Sequence, residues 1–378
     1  MGNRFDSIRP IIIRWGKGET PTADQYEQVT RWMLVQPSAA VWQLEAVSVT
    51  SALSDRIQLL QSIAQKLQLG QIKLPLLGDW TAWIEHMWTL WLPLALKIDQ
   101  AQRTKASCSD EQLPDAHLFV QGILGGQGTG KTTLSKILQL LLAELDQQTA
   151  ILSIDDLYLT YVERCELKKK DPRFIWRGPP GTHDVELGRR TFAQIARALP
   201  DEQIQLPRFD KSLYGGQGDR TEPTLITKPT IVLFEGWCVG VRPLPETAFL
   251  ELSKLPSPIN TEADRAFALD CNHQLREYAP LWDYLDSLIV LSSEDYRLSQ
   301  QWRQQAEEER IAEGKSGLSN EEIAAFVAYF WQALHPQLFI EPLTRVSQSH
   351  ETADLVVTIC RYHRIAQIYV PAVLPCAP

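Results

Sequence analysis

Eight consecutive residues constrain this chain more than any others: Gly125-Gly126-Gln127-Gly128-Thr129-Gly130-Lys131-Thr132. They satisfy G-x-x-x-x-G-K-[ST], a phosphate cradle set between a strand and a helix. Glycines let the backbone curl until successive N–H groups face inward at phosphate oxygens. Lys131 supplies a compact charge for the β- and γ-phosphates, and the helix that starts there adds its positive end. The flanking pattern agrees with the motif. Leu118-Phe119-Val120 and Ile123-Leu124 read as a strand before the loop, and Leu134, Ile137, Leu138, Leu141 and Leu142 as one face of a helix after it. We expect Gly125 to Thr132, with Thr133, to bind nucleotide phosphates, and the Thr132 hydroxyl to ligate Mg2+.

From His117 onward short apolar strands alternate with helical patterns: strand 117–124, helix 131–145, strand 149–154, helix 186–199, strands 230–235 and 286–292, then long polar helices and a last strand, Asp354 to Ile359. Such alternation predicts an α/β fold, a parallel sheet flanked by helices. Residues 1–98 read as an N-terminal helical region. Pro21-Thr22 opens a segment with Tyr26, Val29, Trp32 and Met33 at helical spacing, and Ile57, Leu60, Ala64 and Leu67 share another face. Trp80, Trp83, Ile84, Met87, Trp88 and Trp91 form a stripe that we read as a core seam between helices rather than a binding surface. The polar stretch 99–116 lacks periodicity and reads as a linker, which leaves 117–378 as the α/β domain.

The 378 residues suit two or three such units, and the net charge of −9 argues against a nucleic-acid partner. A phosphate site needs only a few local cations and is compatible with that balance. Six scattered cysteines, Cys108, Cys165, Cys238, Cys271, Cys360 and Cys376, include no Cys-x-x-Cys pair, so free thiols are expected. Trp80 to Ile98 carries Glu85, His86, Pro93 and Lys97, which does not suit a bilayer span, and Ile11-Ile12-Ile13 is too short for a signal peptide. We expect a soluble cytoplasmic protein with a small-molecule substrate and no membrane partner.

In open α/β sheets ligands bind beyond the carboxyl ends of the strands. Ser153-Ile154-Asp155-Asp156-Leu157-Tyr158 stands at such an end. A carboxylate there can accept the proton of an attacking hydroxyl, and we assign Asp155 that role with Asp156 secondary. Glu235, ending the strand Thr230 to Phe234, is the expected second metal ligand beside Thr132. Two loops rich in Gly, Pro and charge lie between: Arg177-Gly178-Pro179-Pro180-Gly181-Thr182-His183-Asp184, and Pro207-Arg208-Phe209-Asp210-Lys211-Ser212 continuing through Tyr214 to Asp219-Arg220. Asp156, Tyr158, Arg177, His183, Asp184, Arg208, Tyr214 and Arg220 are the candidate acceptor contacts, with Arg177 and Arg220 able to grip a carboxylate or phosphate through two N–H bonds each. The charged run Tyr296 to Glu307 reads either as a lid helix presenting Arg303 to the transferring group or as a solvated helix with an Arg303–Glu307 pair.

Over roughly Leu118 to Ile359 the chain resembles the D-glycerate 3-kinases of the plant and cyanobacterial type, within the group that holds phosphoribulokinase, uridine kinase and bacterial pantothenate kinase. The phosphate loop carries the resemblance together with residues 153–158, 177–184, 207–212, 218–220, 234–237 (Phe-Glu-Gly-Trp) and 302–307 (Trp-Arg-Gln-Gln-Ala-Glu). Leu157 stands where relatives often have Phe. The resemblance implies a parallel five-stranded sheet, ATP and Mg2+ as cofactors, Asp155 as base, acceptor binding by the His183-Asp184 loop and Arg303 in a lid. It implies conversion of glycerate to 3-phosphoglycerate, in a photorespiratory context. Two arginines in the acceptor loops favour an acid, while Phe174, Trp176, Phe209 and Tyr214 would also suit a nucleoside. The alternatives are another small alcohol (uridine, pantothenate or a pentose phosphate) or a nucleotide-dependent switch without transfer, its tryptophan-rich helices binding a partner.

Overall fold

A computed structural model of the chain describes residues 5–76, 78–108, 118–312, 319–345 and 352–371, the side chains of 309–312 excepted. His117, Cys376 and residues 109–116 of the expected linker lie outside the described residues.

Among the described residues there are eight strands: β1 (Phe119–Gly125), β2 (Thr149–Ser153), β3 (Gln203–Asp210), β4 (Asp219–Thr227), β5 (Ile231–Gly236), β6 (Ser287–Ser293), β7 (Leu355–Ile359) and β8 (Ile365–Tyr369). Six form one sheet in the order β2-β5-β1-β6-β7-β8. The first five are mutually parallel, and β8 runs antiparallel to β7. The expected parallel sheet is therefore present with one further strand. β8 is short and mostly half-exposed or exposed, so its sequence carries no apolar run to mark it. β3 and β4 make a separate antiparallel hairpin with Phe209 opposite Arg220. The loop expected over 207–220 is thus the facing strand ends of that hairpin and its tip. Exposed and buried residues alternate only over 203–206 of β3, and β4 buries none, so the hydrophobic pattern is thin.

β1 sits in the middle and is buried at every position. Its side chains alternate between faces, as a pleated strand requires. Phe119 and Ile123 join one apolar cluster with Ile231, Leu233, Ile289 and Leu355, and Val120 and Leu124 join another with Val232, Phe234 and Val290. The first cluster is completed by the helix Lys131–Ala143 and by the N-terminal helices, among them Arg9–Gly16, Ala23–Leu34 and Val49–Gln68. The second is completed by the helices Val185–Arg197 and Glu262–Gln274.

The tryptophan stripe is a core seam, as read from its spacing. Trp80, Trp88 and Trp91 are buried, and Trp83 stacks on Trp91 with centroids 6.3 Å apart. The helix continues from Leu92 to Cys108, so the expected linker is helical over its first ten residues, 99–108. Its polar residues are tied rather than solvated. Asp99 pairs with Arg103 at 2.9 Å, Lys105 with Asp286 at 2.7 Å, and Gln102 is buried against Gln147. Asn320–Thr344 is long and apolar enough to cross a membrane by composition. Here it is broken into the helix Asn320–Ala333 and two short turns, with the helix packed on Glu262–Gln274.

Trp88 is fully buried where the N-terminal helices meet, 6.2 Å from the Trp15 ring. Trp88→Ala should lower the unfolding free energy by about 3–5 kcal/mol, read as a fall in the urea midpoint at unchanged slope.

Candidate active site

The site begins where β1 ends. Gly128 and Gly130 hold φ of 76° and 86°, conformations that cost a side chain strain. A Cβ on Gly128 would also stand 2.6 Å from Trp302, whose ring backs the loop. Gly130 caps the helix Lys131–Ala143, so the helix N-terminus opens toward the loop. Thr129 is buried and bonds the Gly126 carbonyl through Oγ1 at 2.9 Å, and Lys131 Nζ donates to the same carbonyl at 2.9 Å. Burial holds the Lys131 ammonium below its ordinary range, with Glu235 and Asp155 opposing. Thr132 Oγ1 donates to Glu235 Oε1 at 2.8 Å, which joins the two expected metal ligands at the mouth of the loop. Glu235 is buried and, among the described residues, has no ion-pair partner. A hydroxyl and one carboxylate suit Mg2+, which takes few protein ligands and completes its shell with phosphate oxygens and water.

A cleft of about 1310 Å3 runs from this mouth between the β3–β4 hairpin and the helices Leu298–Ala312 and Asn320–Ala333. Lys131, Thr132, Asp155, Tyr158, Arg177, Glu235 and Arg303 all line it. Asp155 reaches it because β2 ends at Ser153 and turns at once through Ile154–Leu157. The turn is pinned at both ends: Asp155 N donates to Ser153 Oγ, and Ser153 N to Asp156 Oδ2, each at 3.2 Å. Burial alone would raise the Asp155 carboxyl. Lys211, whose Nζ lies 2.6 Å from Oδ2, outweighs burial with help from Tyr158 and His183 and holds it below its usual range.

Several expected acceptor contacts face away from the cleft. Asp156 receives Arg208 at 3.2 Å and the Phe209 amide at 3.2 Å, so both residues tie the hairpin to the turn from behind. Asp184 caps the helix Val185–Arg197 through the Leu187 amide and pairs with Arg220 at 2.8 Å, while Arg220 Nε donates to the Tyr158 carbonyl. Tyr214, at φ 49°, is exposed and stacks on Tyr161 with centroids 4.1 Å apart. These five side chains, Asp156, Asp184, Arg208, Tyr214 and Arg220, build the walls and do not line the cleft. The acids and arginines are drawn to one another because a half-buried charge needs a partner. His183 is buried behind Tyr158, rings 4.6 Å apart and nearly parallel, with Nδ1 2.7 Å from the Tyr278 hydroxyl and Nε2 without a partner. Burial pushes its pKa down to about 4, so it is neutral at physiological pH.

Of the two expectations for Arg303, its pair with Glu307 is present, but on a buried rather than a solvated helix face, since Glu307 is buried. Arg303 lines the cleft and pairs with Glu307 at 2.7 Å, with its guanidinium 5.3 Å from the Phe326 ring centroid. Its Nε is buried and without a partner.

Sequence reasoning missed three features. Lys211 was visible only as a member of the 207–212 run. Arg164 lies in the first turn of the helix Tyr161–Lys170, whose Thr160–Glu163 capping box is a legible helix start. Trp237 donates to the Gly178 carbonyl at 3.0 Å, and Phe330 fills the space where a Gly178 side chain would stand, 2.3 Å from its would-be Cβ. Arg164 and Arg177 lie on the Phe209 ring at 5.2 and 5.6 Å and share the Gln217 carbonyl. Neither forms an ion pair among the described residues. Burial, then the neighbouring Arg177 charge, holds the Arg164 guanidinium below its usual range, though it stays charged.

No family model matches the chain. It is 33% identical over 225 residues to the uncharacterized kinase mug58 of Schizosaccharomyces pombe, covering 57% of this chain and 80% of that one. It is 32% identical over 244 residues to the chloroplastic D-glycerate 3-kinase of Arabidopsis thaliana, covering 60% of this chain and 50% of that one. Among solved structures, the D-glycerate 3-kinase from Cryptococcus neoformans var. grubii superposes with a TM-score of 0.63 at 25% identity, covering 73% of this chain and 97% of that one.

Three substitutions test the geometry. Lys131→Ala should abolish transfer chiefly through kcat, because its charge serves the migrating group, and a near wild-type kcat would contradict the role. Asp155→Asn should lower kcat by ~10²–10⁴ with little change in either KM. Asp156→Asn should instead cost about 1–3 kcal/mol of stability, since its oxygens hold Arg208 and two amides, and leave kcat nearly intact. Steady-state kinetics and urea denaturation of the three variants read both effects.

Proposed function

The chain belongs to the glycerate-kinase-like family of P-loop kinases and is a phosphotransferase, and on that footing we propose that it transfers the γ-phosphoryl group of ATP to the primary hydroxyl of D-glycerate, giving 3-phosphoglycerate and ADP. The observation that carries the choice of acceptor is the pair Arg164 and Arg177. They are two guanidinium groups without anionic partners, held side by side in the cleft that Asp155 also lines. A carboxylate is the group that such a fork pair fits. Arg220, the other arginine proposed from sequence, is engaged by Asp184 and gives its place to Arg164.

In this reading the acceptor carboxylate sits on Arg164 and Arg177, and its hydroxyl is presented to Asp155. Asp155 takes the hydroxyl proton as the oxygen attacks, and Lys131 and the loop amides stabilise charge on the moving group. Thr132 and Glu235 would hold Mg2+, which when bound neutralises phosphate charge. Arg303 covers the site from the helix Leu298–Ala312.

The aromatic residues that would suit a nucleoside are otherwise engaged. Phe174 packs edge-on against Phe267, and Trp176 against Phe326 and Tyr329, while Phe209 carries the arginines. We also place the protein in the cytoplasm. The five described cysteines are unpaired, which suits a reducing compartment.

An ADP-coupled assay of the full chain with D-glycerate, uridine, pantothenate and ribulose 5-phosphate tests the reading. Turnover on glycerate is expected, and turnover on another member with none on glycerate would overturn it. Arg164→Ala and Arg177→Ala should each raise KM for glycerate about 10–100-fold, the loss of a charge-assisted hydrogen bond, with KM for ATP unchanged.

A further inference from the structure

Among the described residues Lys211 is the one cation bonded to the proposed base, and the reaction as drawn gives it nothing to do. Its ammonium is 2.6 Å from Asp155 Oδ2, yet its side chain is 61% exposed. It stands at the tip of the β3–β4 hairpin, which shares no strand pairing with the main sheet. The tip bends through Tyr214, Gly215, Gly216 and Gly218, all at positive φ. The strand ends next to the tip, by contrast, are fixed by Arg208–Asp156 and Arg220–Asp184. The hairpin is thus anchored behind the cleft and attached at its tip to Asp155.

That contact conflicts with catalysis by Asp155. A carboxylate held by an ammonium is a weak proton acceptor, and one of its two oxygens is engaged by Lys211. Opening the pair restores its basicity. The released cation stays in the cleft that Lys131 and Asp155 also line. Resting on the assignment of Asp155 as proton acceptor, we infer that Lys211 is a second catalytic cation, which leaves Asp155 as the acceptor hydroxyl arrives and moves onto the phosphoryl group in transit.

The step balances without a further reactant. The hydroxyl proton passes to Asp155, and the oxygen pair it leaves forms the new O–P bond. The bond from Pγ to the bridging oxygen breaks with its electrons going to ADP. Lys211 stays protonated and contributes charge alone. Preorganised charge of this kind acts where charge develops.

The charged and titratable groups facing Asp155 are Lys211 from the hairpin, Tyr158 and Asp156 from its own turn, His183 from the loop before Val185–Arg197, Lys131 from the phosphate loop and Cys238 after β5. Lys211 is the largest of those that lower its pKa. Its removal therefore raises the Asp155 pKa in the free enzyme, and the acid limb of kcat/KM for the acceptor moves to higher pH.

The test uses Lys211→Met, Lys211→Arg and Asp155→Asn in the full chain, with whichever panel alcohol the wild type turns over fastest. Lys211→Met should lower kcat about 100-fold or more, a loss typical of removing one charge-stabilising donor, with KM for ATP within about twofold. Its acid limb should move up. Lys211→Arg keeps the charge and should recover at least about tenfold of the lost rate and return the acid limb toward wild type. Lys211→Met with kcat within about threefold of wild type overturns the inference, and so does an equal loss in Lys211→Arg with an unmoved acid limb, which marks a structural latch. Because Lys211 is exposed, unchanged fluorescence titration with a labelled ATP analogue checks that each variant is folded. Asp155→Asn separates the layers: inactive beside a normal Lys211→Met, it sinks the cation and keeps the base; active, it sinks the base as well.

Discussion

A parallel strand buried on both faces is the constraint from which the rest of this structure follows. β1 exposes no residue, and its alternating side chains fill two separate apolar clusters. Parallel sheets persist only when both faces are covered. One face is covered by helices inserted between the strands. The other takes the helix Lys131–Ala143 together with the N-terminal helices, which is why a region without visible chemistry occupies the first hundred residues. With both faces closed, the carboxyl ends of β1, β2 and β5 are left for ligands, and each ends in a functional group: the phosphate loop, Asp155 and Glu235.

The cleft sorts its charges by whether they are spent. Asp156, Asp184, Arg208 and Arg220 neutralise one another in the walls. Asp155 and Lys211 form a pair at the centre, and Arg303 with Glu307 another at the rim. Lys131, Arg164 and Arg177 remain without carboxylate partners among the described residues. A half-buried cation without a counter-ion is costly in an isolated protein and becomes favourable when an anion arrives. The unspent cations thus divide between Lys131 at the phosphate loop and Arg164 with Arg177 beside the hairpin tip, in the cleft that Asp155 also lines.

Much of this was legible in the sequence. The phosphate loop, five parallel strands, Asp155 at a strand end and Glu235 facing Thr132 all followed from local pattern, because glycine spacing and apolar runs are local properties. The hairpin was not. β3 sends only Ile204 and Leu206 of its alternating positions into the core and β4 buries no residue, so the apolar period is too short to mark them. Nor could the sequence distinguish Arg177, free in the cleft, from Arg220, bonded to Asp184. Both sit in Gly-rich segments, and the difference lies in a partner 36 residues away. The helical stretch 99–108 was read as a linker because its order rests on polar ties to Asp286 and Gln147, which lie far along the chain.

The residues that read as acceptor contacts and proved to be wall ties have a role that follows from where they pull. Arg208, Phe209, Asp219 and Arg220 all belong to the hairpin. They bond Asp156, the Tyr161 amide, Asp184 and the Tyr158 carbonyl, on the segments around the turn that carries Asp155. Charge-assisted bonds of this sort are worth about 1.5–3 kcal/mol each, enough together to hold the strand ends beside the tip against the turn. Beyond them lies the glycine-rich tip, where Lys211, and the carbonyls of Gly216 and Gln217 that hold Arg177, all reside. Arg164 holds the Gln217 and Gly218 carbonyls as well, so one glycine-rich segment is tied to both arginines of the cleft and carries the cation bonded to Asp155.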